Sequence, residues 1–172
     1  MAEVTGDLEY LQSLTENPRI LEFGAFLIAE REDRRYPSFS LQSLMSVPRL
    51  APNIFAYDFR KGIEAGMLVA HAGTKIDYEY GYNVTGTTLE DHYPGDDSKD
   101  DVLAGYRRVF KEGKKFYSHR TIRMQKDEWS QFRVAESLMF PCSTNQSDID
   151  FGWGMVLFDP AEATVENVYY LW

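Results

Sequence analysis

Residues 99–112 read KDDVLAGYRRVFKE and carry the clearest helical pattern in the chain. Val102, Tyr106 and Val109 recur at the spacing of a single buried helical face. Gly113 follows directly, where a glycine in the left-handed conformation commonly ends a helix. The sequence therefore predicts an amphipathic helix over Lys99–Glu112 that packs one face against the rest of the protein.

Three segments of strand length follow this helix, at residues 116–124, 129–140 and 151–159. Short polar connections separate them, and Pro160 ends the last one. Consecutive strands that are joined by short turns pair in an antiparallel manner. We therefore expect an antiparallel meander after the helix.

Two more strands are expected before the helix, at residues 53–61 and 67–72, with a glycine-bounded turn between them. Residues 74–98 contain short helical pieces and loops, because glycines interrupt the periodic patterns there. The resulting order is two strands, several short helices, the long helix at Lys99–Glu112 and three strands. This order predicts an α+β fold with a five-stranded antiparallel sheet.

The N-terminal residues 1–52 have a helical pattern. Asn17 and Pro18 match an N-cap followed by proline in the first helical turn. Three apolar side chains then share one face at helical spacing: Ile20, Phe23 and Leu27. We interpret residues 1–52 as a helical extension of a core at residues 53–159, and residues 160–172 as a C-terminal tail.

Composition argues against several classes of function. The chain has 172 residues, one cysteine and a formal net charge of −9. An acidic surface opposes bulk binding to nucleic acid and docking on anionic membranes. The N-terminus lacks the apolar core of a signal peptide, and the longest apolar run, residues 23–29, is too short to span a bilayer. Together with a cysteine that cannot form an internal disulfide, these features predict a cytoplasmic protein without a nucleic-acid or membrane partner.

Five short motifs are similar, in order and spacing, to those of a family of small bacterial PAS-domain proteins. They are LAPNIFAYD at 50–58, AGT at 72–74, GYNVTG at 81–86, SLMFPCS at 137–143 and VLFD at 156–159. Members of that family also carry a helical N-terminal segment that ends in arginines and proline, as RRYP does at 34–37. The resemblance covers residues 17–159.

The resemblance implies a PAS-like fold, in which helices pack on one face of the five-stranded sheet around a small interior cavity. PAS domains sense ligands, light or redox state, and they often dimerise through an N-terminal helix. The expected function is a stand-alone sensor or signalling module, without an output domain, that binds a small molecule or a protein partner. The alternative is a ligand-independent module for homodimerisation through the N-terminal helix. A small enzyme on a cone-shaped α+β barrel is a third interpretation, and we expect no catalytic residues.

Two cofactor patterns of the superfamily are missing from the sequence. A flavin photoreceptor needs a reactive cysteine in a short helix within an Asn-Cys-Arg-type motif, whereas Cys142 follows Pro141 at the end of a predicted strand. Haem-binding PAS domains usually offer a histidine from the longer helix, and Lys99–Glu112 contains none. We therefore expect neither flavin–cysteine photochemistry nor haem, and no metal site. The cofactor or ligand itself is unknown.

The aromatic content of 15% is consistent with a packed core or with a pocket for a flat or apolar ligand. Pocket candidates come from elements that are expected to face inward in a PAS fold. They are Tyr57, His71, Tyr80, Tyr106, Phe110, Phe132, Val134 and Trp153, with Arg123 and Glu136 as polar anchors. A shift of one residue in strand facing would invert the strand members of this set.

Overall fold

The computed structural model describes residues 2–92, 99–126, 129–162 and 164–172. Its α-helices are α1 (Ala2–Leu14), α2 (Pro18–Arg31), α3 (Thr74–Tyr80) and α4 (Lys99–Glu112). Its strands are β1 (Ile54–Asp58), β2 (Leu68–Ala72), β3 (Phe116–Lys126), β4 (Trp129–Cys142), β5 (Phe151–Pro160) and β6 (Val168–Leu171). No helix in the described ranges combines the length and the apolar character that a membrane span requires. Residues 93–98, the end of the segment predicted to hold short helices and loops, lie outside the described residues.

The strands form one antiparallel sheet in the order β2-β1-β5-β4-β3-β6. This confirms the predicted α+β class and the meander of β3, β4 and β5. The sheet has six strands instead of the expected five, because the C-terminal tail forms β6 along the edge of β3. The backbone N–H of Lys115 donates to the carbonyl of Trp172 at 2.8 Å, and the N–H of Trp172 donates back at 3.2 Å. The tail thus satisfies backbone groups that an uncovered edge would leave unpaired.

Helices α3 and α4 cover one face of the sheet, which we call the inner face. The predicted bounds of α4 are confirmed, and its apolar side chains Val102, Tyr106 and Val109 are buried. Gly113 follows the helix with a φ of 68°, a left-handed conformation that glycine adopts without steric cost. The apolar cluster on this face also contains Phe55 of β1. Helix α4 therefore covers the inner face of the sheet.

Helices α1 and α2 cover the opposite face, which we call the outer face. The side-chain oxygen of Asn17 accepts a hydrogen bond from the backbone N–H of Arg19 at 3.1 Å, which confirms the predicted N-cap. The apolar residues predicted on this helix are all fully buried: Ile20, Phe23 and Leu27. Phe23 meets the ring of Trp153 edge to face at 6.4 Å. The apolar face of α2, which was a candidate surface for homodimerisation, therefore packs against the sheet of the same chain.

The two faces carry separate apolar clusters, so the sheet has a core on each side. On the outer side, Asp7 of α1 pairs with Arg31 of α2 at 3.0 Å and with Lys115 at 2.9 Å. These ion pairs tie α1 to α2 and to the segment between α4 and β3. The division of the chain after residues 52 and 159 stays a prediction.

Candidate functional site

A small cavity lies between the inner face of the sheet and its helices. Its volume is about 30 Å³. Aromatic rings form much of the wall, and they come from both layers: Phe55, Tyr57, Tyr80, Tyr106 and Phe158. Two polar side chains, His92 and Arg120, complete the wall beside aliphatic residues. A wall of this composition is typical of sites that bind small organic molecules.

The aromatic rings of the cavity contact one another and hold its shape. The ring centroids of Tyr57 and Tyr106 lie 5.6 Å apart, and those of Phe55 and Tyr106 lie 6.0 Å apart. Tyr80 meets Phe158 edge to face at 6.3 Å. Such pairs stabilise beyond the area that they bury, by about 0.5–1.5 kcal/mol each. The helices and the sheet are therefore joined through the wall of the cavity.

His92 is held by hydrogen bonds at both ring nitrogens. Nδ1 lies 2.6 Å from the hydroxyl of Tyr82, and Nε2 lies 2.6 Å from the hydroxyl of Thr87. The Thr87 hydroxyl donates its proton to the carbonyl of Val84 at 2.6 Å, so Nε2 must donate to Thr87. In the neutral ring, Nδ1 then accepts from the Tyr82 hydroxyl. Burial lowers the pKa of His92, in agreement with this arrangement, although the nearby Asp91 opposes the shift.

Arg120 and three hydroxyl groups form a polar chain on the inner face. Nη1 of Arg120 donates to Oγ of Ser118 at 2.6 Å, and Ser118 lies 2.8 Å from Oγ of Ser137. The Tyr106 hydroxyl donates to Ser137 across a longer distance of 3.4 Å. Arg120 is only 1% exposed. A guanidinium group and a tyrosine hydroxyl are thus positioned at the cavity by the same buried chain.

Of the predicted pocket residues, Tyr57, Tyr80 and Tyr106 line this cavity. Phe110 lies on the same side of the sheet, where its ring packs 5.1 Å from Phe59, but it is outside the cavity wall. His71 is paired with Ala56 and does not line the cavity either. The structure therefore brings together the tyrosines of the predicted set.

The predicted residues of β4 have the opposite facing. Ala135 and Met139 belong to the inner cluster, whereas Leu138 and Phe140 belong to the outer one. Side chains alternate along a strand, so the even-numbered pocket candidates point to the outer side: Phe132, Val134 and Glu136. Phe132 is 58% exposed. Arg123 pairs with Phe132 in the ladder and is exposed, so it does not line the cavity.

Glu136 and Trp153 have structural environments on the outer side. The carboxylate of Glu136 accepts hydrogen bonds from Thr15, from Asn17 at 2.7 Å and from Tyr117 at 2.9 Å. It thereby fastens the link between α1 and α2 to the sheet. Trp153 is fully buried beneath the rings of α2. The predicted facing was wrong by one residue for these positions.

The sequence reasoning missed His92, Arg120, Phe55 and Phe158 as cavity residues. Arg120 had a recognisable signal, because it shares its strand face with Phe116 and Ile122, both of which are apolar. A charged residue in a buried row of a strand indicates a functional or paired group. His92 offered no such signal, because it lies in a loop without periodicity.

The single cysteine lies far from the cavity wall in the fold. Cys142 ends β4 on the outer side, is fully buried, and packs in the outer cluster. Burial raises the pKa of its thiol, which disfavours the reactive thiolate. Across the residues that the structure describes, no group of His, Cys, Asp and Glu side chains is arranged to hold a metal ion.

Comparison with protein-family profiles gives no match, and comparison with curated proteins gives none either. Solved structures do match. A light-oxygen-voltage domain studied with a flavin analogue has a TM-score of 0.50 and 11% identity, over 71% of this chain and 85% of that one. A light-oxygen-voltage protein from Rhodobacter sphaeroides has a TM-score of 0.50 and 12% identity, over 73% of this chain and 71% of that one. The Vibrio cholerae VqmA dimer in the absence of its target DNA matches at a TM-score of 0.48 and 12% identity, over 73% of this chain and 55% of that one.

The chain therefore has the fold of the PAS superfamily, to which light-oxygen-voltage domains belong. The narrower resemblance to small stand-alone bacterial PAS proteins stays a prediction. At 11–12% identity the likeness concerns the fold, and it transfers no ligand or partner to this chain.

Proposed function

We propose that this protein is a PAS-type sensory module whose signal enters through the inner cavity. The proposal rests mainly on the aromatic wall that joins α3, α4 and the sheet around one small cavity. A ligand in this space would contact Tyr80 on α3, Tyr106 on α4 and Tyr57 on β1 at once. Its binding would therefore change how the helices pack on the sheet.

The size of the cavity restricts the chemical class of the ligand. A water molecule needs about 10–15 Å³ of such space, whereas sites for drug-sized ligands have about 300–1,000 Å³. A flavin is far too large for the cavity of about 30 Å³. We propose a ligand of one ring or less, with a polar atom that can reach the guanidinium of Arg120. On the scale of water molecules the cavity holds about two or three, so a one-ring ligand needs an outward movement of the covering helices both to enter and to fit.

Two neighbouring alanines of β2 provide a matched test of this proposal. Ala72 lines the cavity, whereas Ala70 packs against the outer cluster. Ala72→Leu fills the cavity, and Ala70→Leu adds the same volume on the other face. Each overpacked variant is expected to lose about 1–3 kcal/mol of stability. The readout is native mass spectrometry and thermal-shift binding with phenol, a one-ring probe with a single hydroxyl.

We expect phenol to stabilise the wild-type chain and the Ala70→Leu variant but not the Ala72→Leu variant. Equal binding by all three proteins would place the ligand outside the cavity. No binding by any of them, together with an inner face closed by side chains, would contradict the ligand part of the proposal.

A role in ligand-independent dimerisation has lost its main support. It rested on the apolar residues Ile20, Phe23 and Leu27 and on the C-terminal tail from Tyr169 to Trp172. The three apolar residues are fully buried within one chain, and the tail pairs with β3 of the same chain. A protein partner remains part of the proposed signalling role, and the dimer is a proposal without an assigned surface. We also retain the expectations of a non-catalytic role and of no nucleic-acid partner, the latter because of the net charge of −9.

A further inference from the structure

A second cleft, separate from the cavity, lies where the start of α2 meets the segment before β1, α3 and the end of β5. Its volume is about 530 Å³. Three cationic side chains line the cleft: Arg19, Arg49 and Lys75. Asp159 is its acidic member. Such a concentration of positive charge is unexpected on a chain with a net charge of −9.

Arg19 is held in place by a buried amide. Its guanidinium donates to the side-chain oxygen of Asn53, and the Asn53 amide donates to the carbonyl of Val156 at 3.1 Å. Asn53 is only 4% exposed, so it provides a rigid anchor. Among the described residues, no carboxylate forms an ion pair with Arg19. Four of the five N–H donors of a guanidinium remain available after one bond, in the planar fork that suits an oxyanion.

The other two cations of the cleft have acidic neighbours that do not cancel them fully. Glu22 lies 3.2 Å from Arg49, but both side chains are well exposed, and such surface pairs contribute little. Glu79 lies 3.3 Å from both Lys75 and Arg133, so one carboxylate serves two cations.

The charge balance of the cleft can be stated with these neighbours included. Four cations then face three acids, counting Arg19, Arg49, Lys75 and Arg133 against Glu22, Glu79 and Asp159. The cleft thus keeps a positive excess. Pro52, Leu157 and Phe158 add an apolar wall beside the cations.

From this arrangement we propose that the cleft binds the phosphate group of a small organic phosphate, whose apolar part lies against Phe158. A phosphate group with two negative charges can interact with more than one of these cations. A carboxylate has only one negative charge and is therefore expected to bind more weakly. Phe158 also lines the inner cavity, so the two sites share one side chain. The cleft site does not depend on the sensory role proposed above.

The test is a titration of the full chain with phenyl phosphate at constant ionic strength, followed by backbone amide NMR shifts. Benzoate serves as the singly charged counterpart and inorganic phosphate as the counterpart without a ring. We expect phenyl phosphate to bind about tenfold more tightly than benzoate, since one further charge contact is worth about one order of magnitude in affinity. The shifts should concentrate at residues 17–19, 49–53, 75 and 157–159.

Substitutions with opposite expected signs make the test independent of folding defects. Arg19→Gln should weaken phenyl phosphate binding by about tenfold, and Asp159→Asn should strengthen it severalfold because it removes the acid of the cleft. Arg108→Gln removes the same charge on α4, where Arg108 pairs with Glu112 at 2.6 Å, and should change little.

Three results would overturn the proposal. They are benzoate binding as tightly as phenyl phosphate, an equal loss in Arg19→Gln and Arg108→Gln, and no gain in Asp159→Asn. Ala72→Leu should leave phosphate binding unchanged, which separates this site from the inner cavity.

Discussion

Gly105 shows how closely α4 approaches the sheet. A Cβ at this position would lie 2.3 Å from the Cε2 atom of Phe116, which is itself buried and cannot move aside. Although alanine favours an isolated helix by about 1 kcal/mol, we expect Gly105→Ala to destabilise the protein by about 1–3 kcal/mol.

Gly6 of α1 is the matched control, because a Cβ there meets no atom within 4 Å. Gly6→Ala should stabilise by up to about 1 kcal/mol. Urea unfolding of both variants checks the pair, and a gain in stability for Gly105→Ala would show that α4 is not seated as described.

The carboxylate of Glu136 accepts hydrogen bonds from three donors in two segments: Thr15 and Asn17 between α1 and α2, and Tyr117 in β3. Burial raises the pKa of Tyr117 well above its usual range, and the Glu136 carboxylate adds to this shift. Glu136→Gln removes the negative charge and weakens at least one hydrogen bond. We expect a loss of about 1–3 kcal/mol and a lower pKa for Tyr117, measured by tyrosinate absorbance. An unchanged Tyr117 titration would contradict the contact.

The protonation of His92 should make the stability of the protein depend on pH. Burial lowers the pKa of His92 in the folded protein. Below about pH 6.5, His92 is therefore protonated in the unfolded chain but stays neutral in the folded chain. Unfolding free energy should therefore fall as the pH drops from about 7 to about 5. His71, whose pKa burial also lowers, contributes in the same direction. In His92→Gln the slope, measured by urea unfolding across this range, should be smaller; an unchanged slope would exclude His92 as a contributor.

At the scale of single residues, the sequence predicted the tyrosines of the cavity but not the facing of β4. The reason is physical. Phe132, Val134 and Glu136 are as large as inward side chains are expected to be, whereas Ala135 faces the crowded inner side. Since Ala135 and Met139 both belong to the inner cluster, side-chain size alone does not identify the inward row of β4.

β6 lies in the segment that the sequence analysis interpreted only as a C-terminal tail. Trp172, which directly follows this strand, packs 5.2 Å from Tyr10 of α1 and 6.3 Å from Phe140 of β4, measured between ring centroids. We expect Trp172→Ala to cost about 2–3 kcal/mol, since it removes a half-buried indole and opens the edge of β3. Tyr170→Ala, on the same strand but 38% exposed, should cost less than half as much in urea unfolding. Equal losses would argue against the docking of Trp172.

Helices α2 and α4 and the five longer strands were predictable because each carries its own local signal. α2 has Asn17 and Pro18, and α4 has a regular apolar face that ends at Gly113. β6 has no comparable signal: its pairing with β3 is set by contacts between distant parts of the chain. Periodicity alone cannot report such contacts.

At the scale of the whole molecule, the N-terminal helices cover an apolar sheet face. Deletion of residues 2–35 would expose Leu138, Phe140 and Trp153, which are all fully or almost fully buried. We therefore expect the truncated chain to aggregate, with increased light scattering and binding of a hydrophobic dye. A truncated chain that stays folded and monodisperse would show that α1 and α2 are an independent extension.

The central claim is that the inner cavity receives the ligand. The most direct measurement is a crystal structure of the full chain, purified without added ligand and then soaked with phenol. We expect electron density for the phenol ring between Tyr57, Tyr80 and Tyr106, with its hydroxyl near Arg120. An inner face closed by side chains, or phenol bound only elsewhere on the protein, would contradict it.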